Sequence, residues 1–222
     1  AFWFLLLAIF HAWPMIDVRI SQSFFSSALC MDRATVPQCG HFTLSKVAWI
    51  TTLRWLLYAL PYLAAAAVVI VLLVAGYSPR LRYRMPVQRL WISLLSLGIG
   101  TGLITNLFLK AHSGRPRPFD TDLFGGKLQF MPAGSFNGAC ERNCSFVSGE
   151  ASGAGWLICV LFVLPPRYRM WMAPPVILAS LATAGLRVAV GAHYASDATL
   201  GLLLSIAVFL GLLALEERIA ER

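Results

Sequence analysis

Three short clusters of chemically capable side chains stand out in the 222-residue chain. The first is Lys110-Ala-His112-Ser-Gly-Arg115-Pro-Arg117-Pro118, the second Ser145-Phe-Val-Ser148-Gly149-Glu150, and the third Arg187, His193 and Asp197. Together they hold what phosphoryl transfer needs. The transferred group carries its charge on three equatorial oxygens, and catalysis is mainly positioning and charge stabilisation. Arginine offers phosphate a planar fork and lysine a point charge, so Lys110, Arg117 and Arg187 are candidate phosphate ligands. If Ser148 and Gly149 open a helix, the N–H groups there form an anion site, and the Ser148 hydroxyl can donate or cap. In a helix that began before His193, that residue and Asp197 would share one face. A carboxylate on one ring nitrogen would fix the tautomer and leave the other as a nucleophile. Each feature also has a plain structural reading: a His–Asp pair can be a helix-end contact, and Arg-Pro-Arg-Pro a loop that avoids helix. Their coincidence at one membrane face points to chemistry.

The elements that must position these residues are read from composition. The chain is 58% hydrophobic and only 13% charged, against about 25% charged in soluble domains, and its mean hydropathy is +0.71. Six apolar stretches approach the length of a membrane span, at about 1–14, 50–76, 90–109, 149–165, 171–191 and 195–215. The first reads as the remainder of a spanning helix. The expected fold is therefore an all-α integral membrane protein, six transmembrane helices in one bundle. Residues 1–222 form a single domain, with the motif region at 110–197 on loops at one face. The net charge of +8 lies between the apolar runs and not along one helix face, which speaks for membrane orientation and against nucleic acid as a partner.

Arg80, Arg82, Arg84 and Arg89 fall in one connection and Arg167 and Arg169 in another, which the positive-inside rule places in the cytoplasm. Segment 110–148 then lies outside, although it carries Lys110, Arg115, Arg117, Lys127 and Arg142 against Asp120, Asp122 and Glu141. Cations retained on the disfavoured side suggest an anion site. Cys30, Cys39, Cys140 and Cys144 also lie outside, where disulfides persist. Four cysteines allow three pairings, and Cys30–Cys39 with Cys140–Cys144 is the expected one. Trp49, Trp55, Trp91, Trp156 and Trp171 fit interfacial anchors. The segment 15–46 reads as a cap over the bundle or an interfacial helix beside a substrate entrance.

The spacing Lys110-x6-Arg117-Pro118, the central Ser148-Gly149 and the spacing Arg187-x5-His193-x3-Asp197 resemble the three signatures of the type 2 phosphatidic acid phosphatase (PAP2) superfamily, in order. The resemblance implies that His193 attacks phosphorus and forms a phosphohistidine, with Asp197 orienting it. Lys110, Arg117, Ser148, Gly149 and Arg187 would hold the phosphoryl oxygens. It implies hydrolysis of a phosphate monoester or diphosphate on a membrane lipid, with no metal or other cofactor. The sequence itself has no acid cluster suited to magnesium and no HExxH zinc pattern. Bacterial substrates of the family include lipid A-type phosphates, undecaprenyl diphosphate and phosphatidylglycerol phosphate, and the mixed charge of 118–147 leans toward lipid A. The site is expected to face the periplasm from the inner membrane, with the bilayer and its lipid as partners. Two departures matter. The family's Pro-Ser-Gly-His reads Val147-Ser148-Gly149-Glu150, so Glu150 becomes the candidate general acid or water-orienting group, with His112 as a possible auxiliary acid. Leu186 stands where a serine often precedes Arg187. A lipid phosphotransferase would carry the same histidine chemistry, and a non-catalytic phospholipid-binding protein could keep the cations without turnover.

Overall fold

Long apolar runs fold as helices because lipid offers no partner to an unpaired backbone group. In a computed structural model, which describes residues 1–27 and 40–221, four helices are long and apolar enough to cross a membrane: α3 (Ala48–Tyr77), α5 (Val87–His112), α7 (Pro166–Ala189) and α8 (Ala195–Ala220). The 30 residues of α3 rise roughly 45 Å at 1.5 Å each, ample for a hydrocarbon core of about 30 Å. Only 11% of its apolar window is buried, so most of its surface is left for lipid. Pro79–Arg84 forms a short α4. Within α5, Leu97–Leu109 winds as a π-helix, a wider turn that is common near functional sites.

Two of the six expected spans do not reach membrane length by themselves. The fourth stretch is the shorter helix α6 (Gly149–Val163), roughly 22 Å long. Most of it is shielded by the other helices: Ala151 to Leu157 and Cys159 are all buried. It packs against α3, α5, α7 and α8. The first stretch is α1 (Phe2–Ala12), which turns by 78° into α2 (Met15–Gln22). Among the described residues the count by length and composition is four membrane-length helices, or five if the bent pair is taken as one. Trp156 is corrected as well. It is wholly buried and donates through Nε1 to the Ser93 carbonyl at 2.6 Å, tying α6 to α5, whereas Trp49, Trp55, Trp91 and Trp171 are exposed.

Small and hydroxylated residues hold α6 in place, as expected where lipid removes most of the hydrophobic drive between helices. A Cβ on Gly155 would meet the Leu202 carbonyl oxygen of α8. Ser152, Thr101 and Ser205 form a hydroxyl cluster across α6, α5 and α8, with separations of 2.8, 2.9 and 3.2 Å. Ser180 of α7 donates to the Ala154 carbonyl at 2.8 Å. Gly155→Ala should force α6 and α8 apart and cost about 2 kcal/mol, within the range of overpacking; a thermal unfolding midpoint in detergent unchanged from the parent would contradict this close approach.

At one end of the bundle Arg82, Arg89, Phe162 and Glu216 line a common cleft. At the other end lie α2, a two-stranded ribbon of β1 (Phe25–Ser26) and β2 (His41–Phe42), the loop 113–148 and the turn 190–194. α2 buries Asp17, Val18 and Ser21 and so caps the bundle. Cys140 and Cys144 are disulfide-bonded; Cys30 and Cys39 lie outside the described residues.

Candidate active site

The third cluster is shaped by a break between helices. Gly191 takes φ +72°, and a Cβ there would overlap the Phe42 ring; both conditions require glycine. The chain therefore turns after α7, and α8 begins only at Ala195. His193 precedes the helix instead of sharing its face with Asp197. Its N–H donates to the Arg187 carbonyl at 3.1 Å, and its ring is 1% exposed. Ring Nδ1 lies 2.8 Å from the Ser145 carbonyl. A carbonyl only accepts, so Nδ1 carries the proton and Nε2 presents its lone pair. Burial, followed by the charges of Arg187, Arg117 and Lys110, pushes the imidazole well below its ordinary titration range. The ring therefore favours its neutral form, with Nδ1 bonded and the lone pair on Nε2.

Asp197 is close but not the direct partner of that ring. Its Oδ2 lies 4.0 Å from Nδ1. It accepts from the Ser145 hydroxyl at 2.5 Å and the Tyr194 N–H at 3.0 Å, and Oδ1 from Arg115 Nη1 at 2.6 Å. Sequence reasoning missed Ser145 and Arg115 as site residues, though both sit inside the quoted clusters. Arg115 is fully buried. Burial alone would lower its guanidinium, but the carboxylates of Asp197 and Asp17 outweigh it and hold it above the ordinary value.

The first and second clusters converge on the same place. Ser148 caps α6, its hydroxyl accepting from the Ala151 N–H at 3.4 Å. Its own N–H donates to the Asp197 carbonyl at 3.0 Å, which joins the second and third clusters. Lys110 ends α5 beside this cap: a Cβ on Gly149 would stand 3.3 Å from Lys110 Nζ and 2.6 Å from Asn106 Oδ1. Glycine thus lets the ammonium approach the helix N-terminus. The loop after α5 is clasped to the His193 turn by the Phe119 N–H donating to the Gly191 carbonyl at 3.2 Å, and Arg117 Nε donates to the Asn143 carbonyl at 3.1 Å. Burial lowers the Arg117 guanidinium from its ordinary value.

Glu150 is gripped by arginines. Arg54 of α3 binds both its oxygens, Nη2 to Oε1 at 2.7 Å and Nε to Oε2 at 3.2 Å, and Arg187 Nη1 lies 3.4 Å from Oε1. Arg54 was missed from sequence, although a lone cation inside an apolar run is itself a signal. Arg54, Arg117 and Arg187 line a cleft of about 310 Å³ with Thr51, Phe119 and Ala192. A second, mainly apolar groove of about 240 Å³ runs from Glu150 and Gly149 between α3 and α5, past Tyr58, Tyr62, Gly98 and Gly102. His112 is not drawn in. It is exposed, its Nδ1 bonds the Phe108 carbonyl at 2.8 Å, and its ring packs on Phe108.

Known proteins are similar to this chain in sequence and in fold. The sequence profile of the PAP2 superfamily matches residues 89–220, more than half of the chain and all three clusters. The chain is 44% identical to the lipid A 4'-phosphatase of Rhizobium leguminosarum over 97% of its own length and 93% of the relative's. It is 43% identical to that of Rhizobium etli, over 97% and 84%, and 29% identical to that of Francisella tularensis subsp. novicida, over 86% and 85%. The fold is similar to the crystal structure of a transmembrane PAP2-type phosphatidylglycerolphosphate phosphatase from Bacillus subtilis, with TM-score 0.58 and 18% identity over 98% of this chain and 94% of that one. With three motifs meeting at the end of a bundle of membrane-length helices, the chain belongs to the PAP2 superfamily.

Proposed function

We propose that this membrane protein is a lipid A phosphatase that removes the 4'-phosphate through a phosphohistidine. The observation that carries the chemistry is His193, whose Nδ1 is held by the Ser145 carbonyl, which leaves Nε2 as the nucleophile, with the charges of Arg187, Arg117 and Lys110 acting on the ring. Similarity to lipid A 4'-phosphatases over nearly the whole chain supports the substrate. The apolar groove beside Glu150 gives an acyl chain a path from the bilayer to the cations. In the first step Nε2 attacks phosphorus as the P–O bond to the sugar breaks, and the departing sugar oxygen takes up a proton, from Glu150 if that residue is the general acid and otherwise from water. Lys110, Arg117, Arg187 and the N–H groups at the start of α6 stabilise the equatorial oxygens. In the second step water attacks the phosphohistidine, the N–P bond breaks, and inorganic phosphate leaves with His193 restored. The positive-inside rule puts this end of the bundle on the periplasmic side of the inner membrane.

Purified protein given lipid A should release inorganic phosphate and leave the 1-phosphate in place. Undecaprenyl diphosphate and phosphatidylglycerol phosphate serve as competing substrates, and preferential turnover of either overturns the assignment. Phosphate appearing on an acceptor lipid instead of in solution marks a phosphotransferase, and binding without turnover marks a lipid-binding protein.

The role of Glu150 has two readings. As a general acid it gives a proton to the departing oxygen. The grip of Arg54 and Arg187 on both its oxygens favours the second reading, an anionic anchor that aims two guanidiniums. Glu150→Gln separates them, because an amide still accepts from Arg54 but cannot protonate a leaving group. An anchor predicts a loss of about tenfold for Gln and a further tenfold for Ala, in line with single positioning contacts. A general acid predicts that Gln and Ala fall equally, by 10²-fold or more, with the basic limb of the pH–rate profile abolished.

A further inference from the structure

Helix α2 lies outside the segment matched by the family profile, yet it reaches the catalytic histidine through an unbroken chain of short bonds. Asp17 is 0% exposed. Its Oδ2 accepts from Arg115 Nη2 at 2.8 Å and from the Ser196 hydroxyl at 2.5 Å, and its Oδ1 from the Ser196 N–H at 2.8 Å. Arg115, also 0% exposed, spreads its fork over Asp17 and Asp197, and its Nε donates to the Met131 carbonyl at 2.9 Å. The guanidinium carbon lies over the Tyr194 ring, 4.3 Å from its centroid. Arg115 also grips Ser145 with its backbone, its carbonyl accepting the Ser145 N–H at 2.8 Å. Ser145 then holds Asp197 with its hydroxyl and His193 with its carbonyl. All four carboxylate oxygens are therefore occupied, and His193 is the last link.

We propose that Asp17 and Arg115 are positioning residues, which act through Asp197 and Ser145 to hold His193 as its Nδ1–H tautomer with Nε2 toward the phosphoryl group. A fully satisfied buried network of this kind is rigid, and a partly satisfied one is costly. Removing one carboxylate leaves the Arg115 guanidinium free to swing, and Ser145, tied to the Arg115 carbonyl directly and to its guanidinium through Asp197, loses its fixed position. Arginine is required because lysine, a point donor, cannot bridge two carboxylates and reach the Met131 carbonyl at once. The proposal rests on the phosphohistidine reading for its catalytic meaning, but the tautomer of His193 can be measured without any substrate.

The chain has only four histidines. Nitrogen-15 NMR of the full chain in micelles at neutral pH, assigned with His193→Gln, should report a single Nδ1–H tautomer for His193. Asp17→Asn, Arg115→Lys and Ser145→Ala should each mix in the Nε2–H form. They should also lower kcat for lipid A about 30-fold, the usual scale for loss of an orienting partner, with KM changed less than threefold. Asp17→Glu should recover part of the loss. Ser145→Ala removes a single hydroxyl and keeps the carbonyl, so it tests the link even if Arg115→Lys does not fold. A pure Nδ1–H signal in all folded variants, or a loss of thermal stability with kcat per folded molecule unchanged, overturns the proposal. A mixed tautomer in a parent chain that does not release phosphate from lipid A would overturn it as well, whereas a pure, variant-sensitive tautomer with no release refutes only the lipid A reading.

Discussion

If His193 is the nucleophile, His193→Gln should lower kcat by on the order of 10⁵-fold, the scale seen when a nucleophile is removed from a covalent mechanism. Glutamine keeps the size and one amide donor for the Ser145 carbonyl, so the bundle should stay folded and the loss should be chemical. Rapid acid-free quenching of the parent with radiolabelled lipid phosphate should trap a base-stable, acid-labile label on the protein; the variant should trap none. An unlabelled parent that still turns over would show direct attack by water. The pH dependence carries a second signature. His193 attacks only when neutral, and burial with its three cationic neighbours depresses its titration well below 6.5. The acidic limb of kcat/KM that belongs to this ring should therefore lie below pH 6.5, with activity kept as pH falls through the range where an ordinary histidine charges. The sign is fixed by those neighbours: removing one of the cations should move the limb up toward 6.5.

Arg187→Lys should lower kcat about 10³-fold, the range found when an arginine that meets transition-state phosphoryl charge is lost. The residue does two jobs. Its side chain lines the cationic cleft with Arg54 and Arg117 and lies beside Glu150. Its carbonyl accepts the N–H groups of Ala192 and His193 at 3.1 Å, a role any residue supplies. Lysine keeps the backbone role and the charge but loses the fork, so the effect should fall on kcat, with folding untouched. Comparable kcat in Arg187→Lys and the parent would place the transferring phosphate elsewhere in the cleft.

Much of this site could be read along the chain because its motif residues sit at breaks between apolar runs. Helix ends are visible where hydropathy changes, which is why the second, third and sixth stretches match α3, α5 and α8 within a few residues. The fifth begins earlier than read, at Pro166 and not 171, because a proline in the first turn lacks only an N–H that has no partner there. Glu216, Glu217 and Arg218 hid the last turns of α8, since charge ends an apolar pattern without ending a helix. The partners of the motif residues were harder to see. Asp17 and Arg54 reach Arg115 and Glu150 across 98 and 96 positions, and no local period encodes such pairings. Ser145 looks like a loop serine until the fold places its hydroxyl on Asp197 and its carbonyl on His193.

The central helix α6 has a consequence for how the protein comes to exist in a bilayer. It is preceded by Ser148, begins with Gly149 and Glu150, contains Ser152 and four buried glycine or alanine positions against its neighbours, and is buried through most of its length. Such a segment has little to gain from hydrocarbon and a carboxylate to lose there, so it is a poor candidate for stable insertion by itself as it leaves the ribosome. The insertion machinery must hold it, or let it wait at the interface, until α7 and α8 have been synthesised and can close round it. Biogenesis of the active site is thus coupled to the last third of the chain: α6 becomes a membrane helix when its proteinaceous sheath is complete.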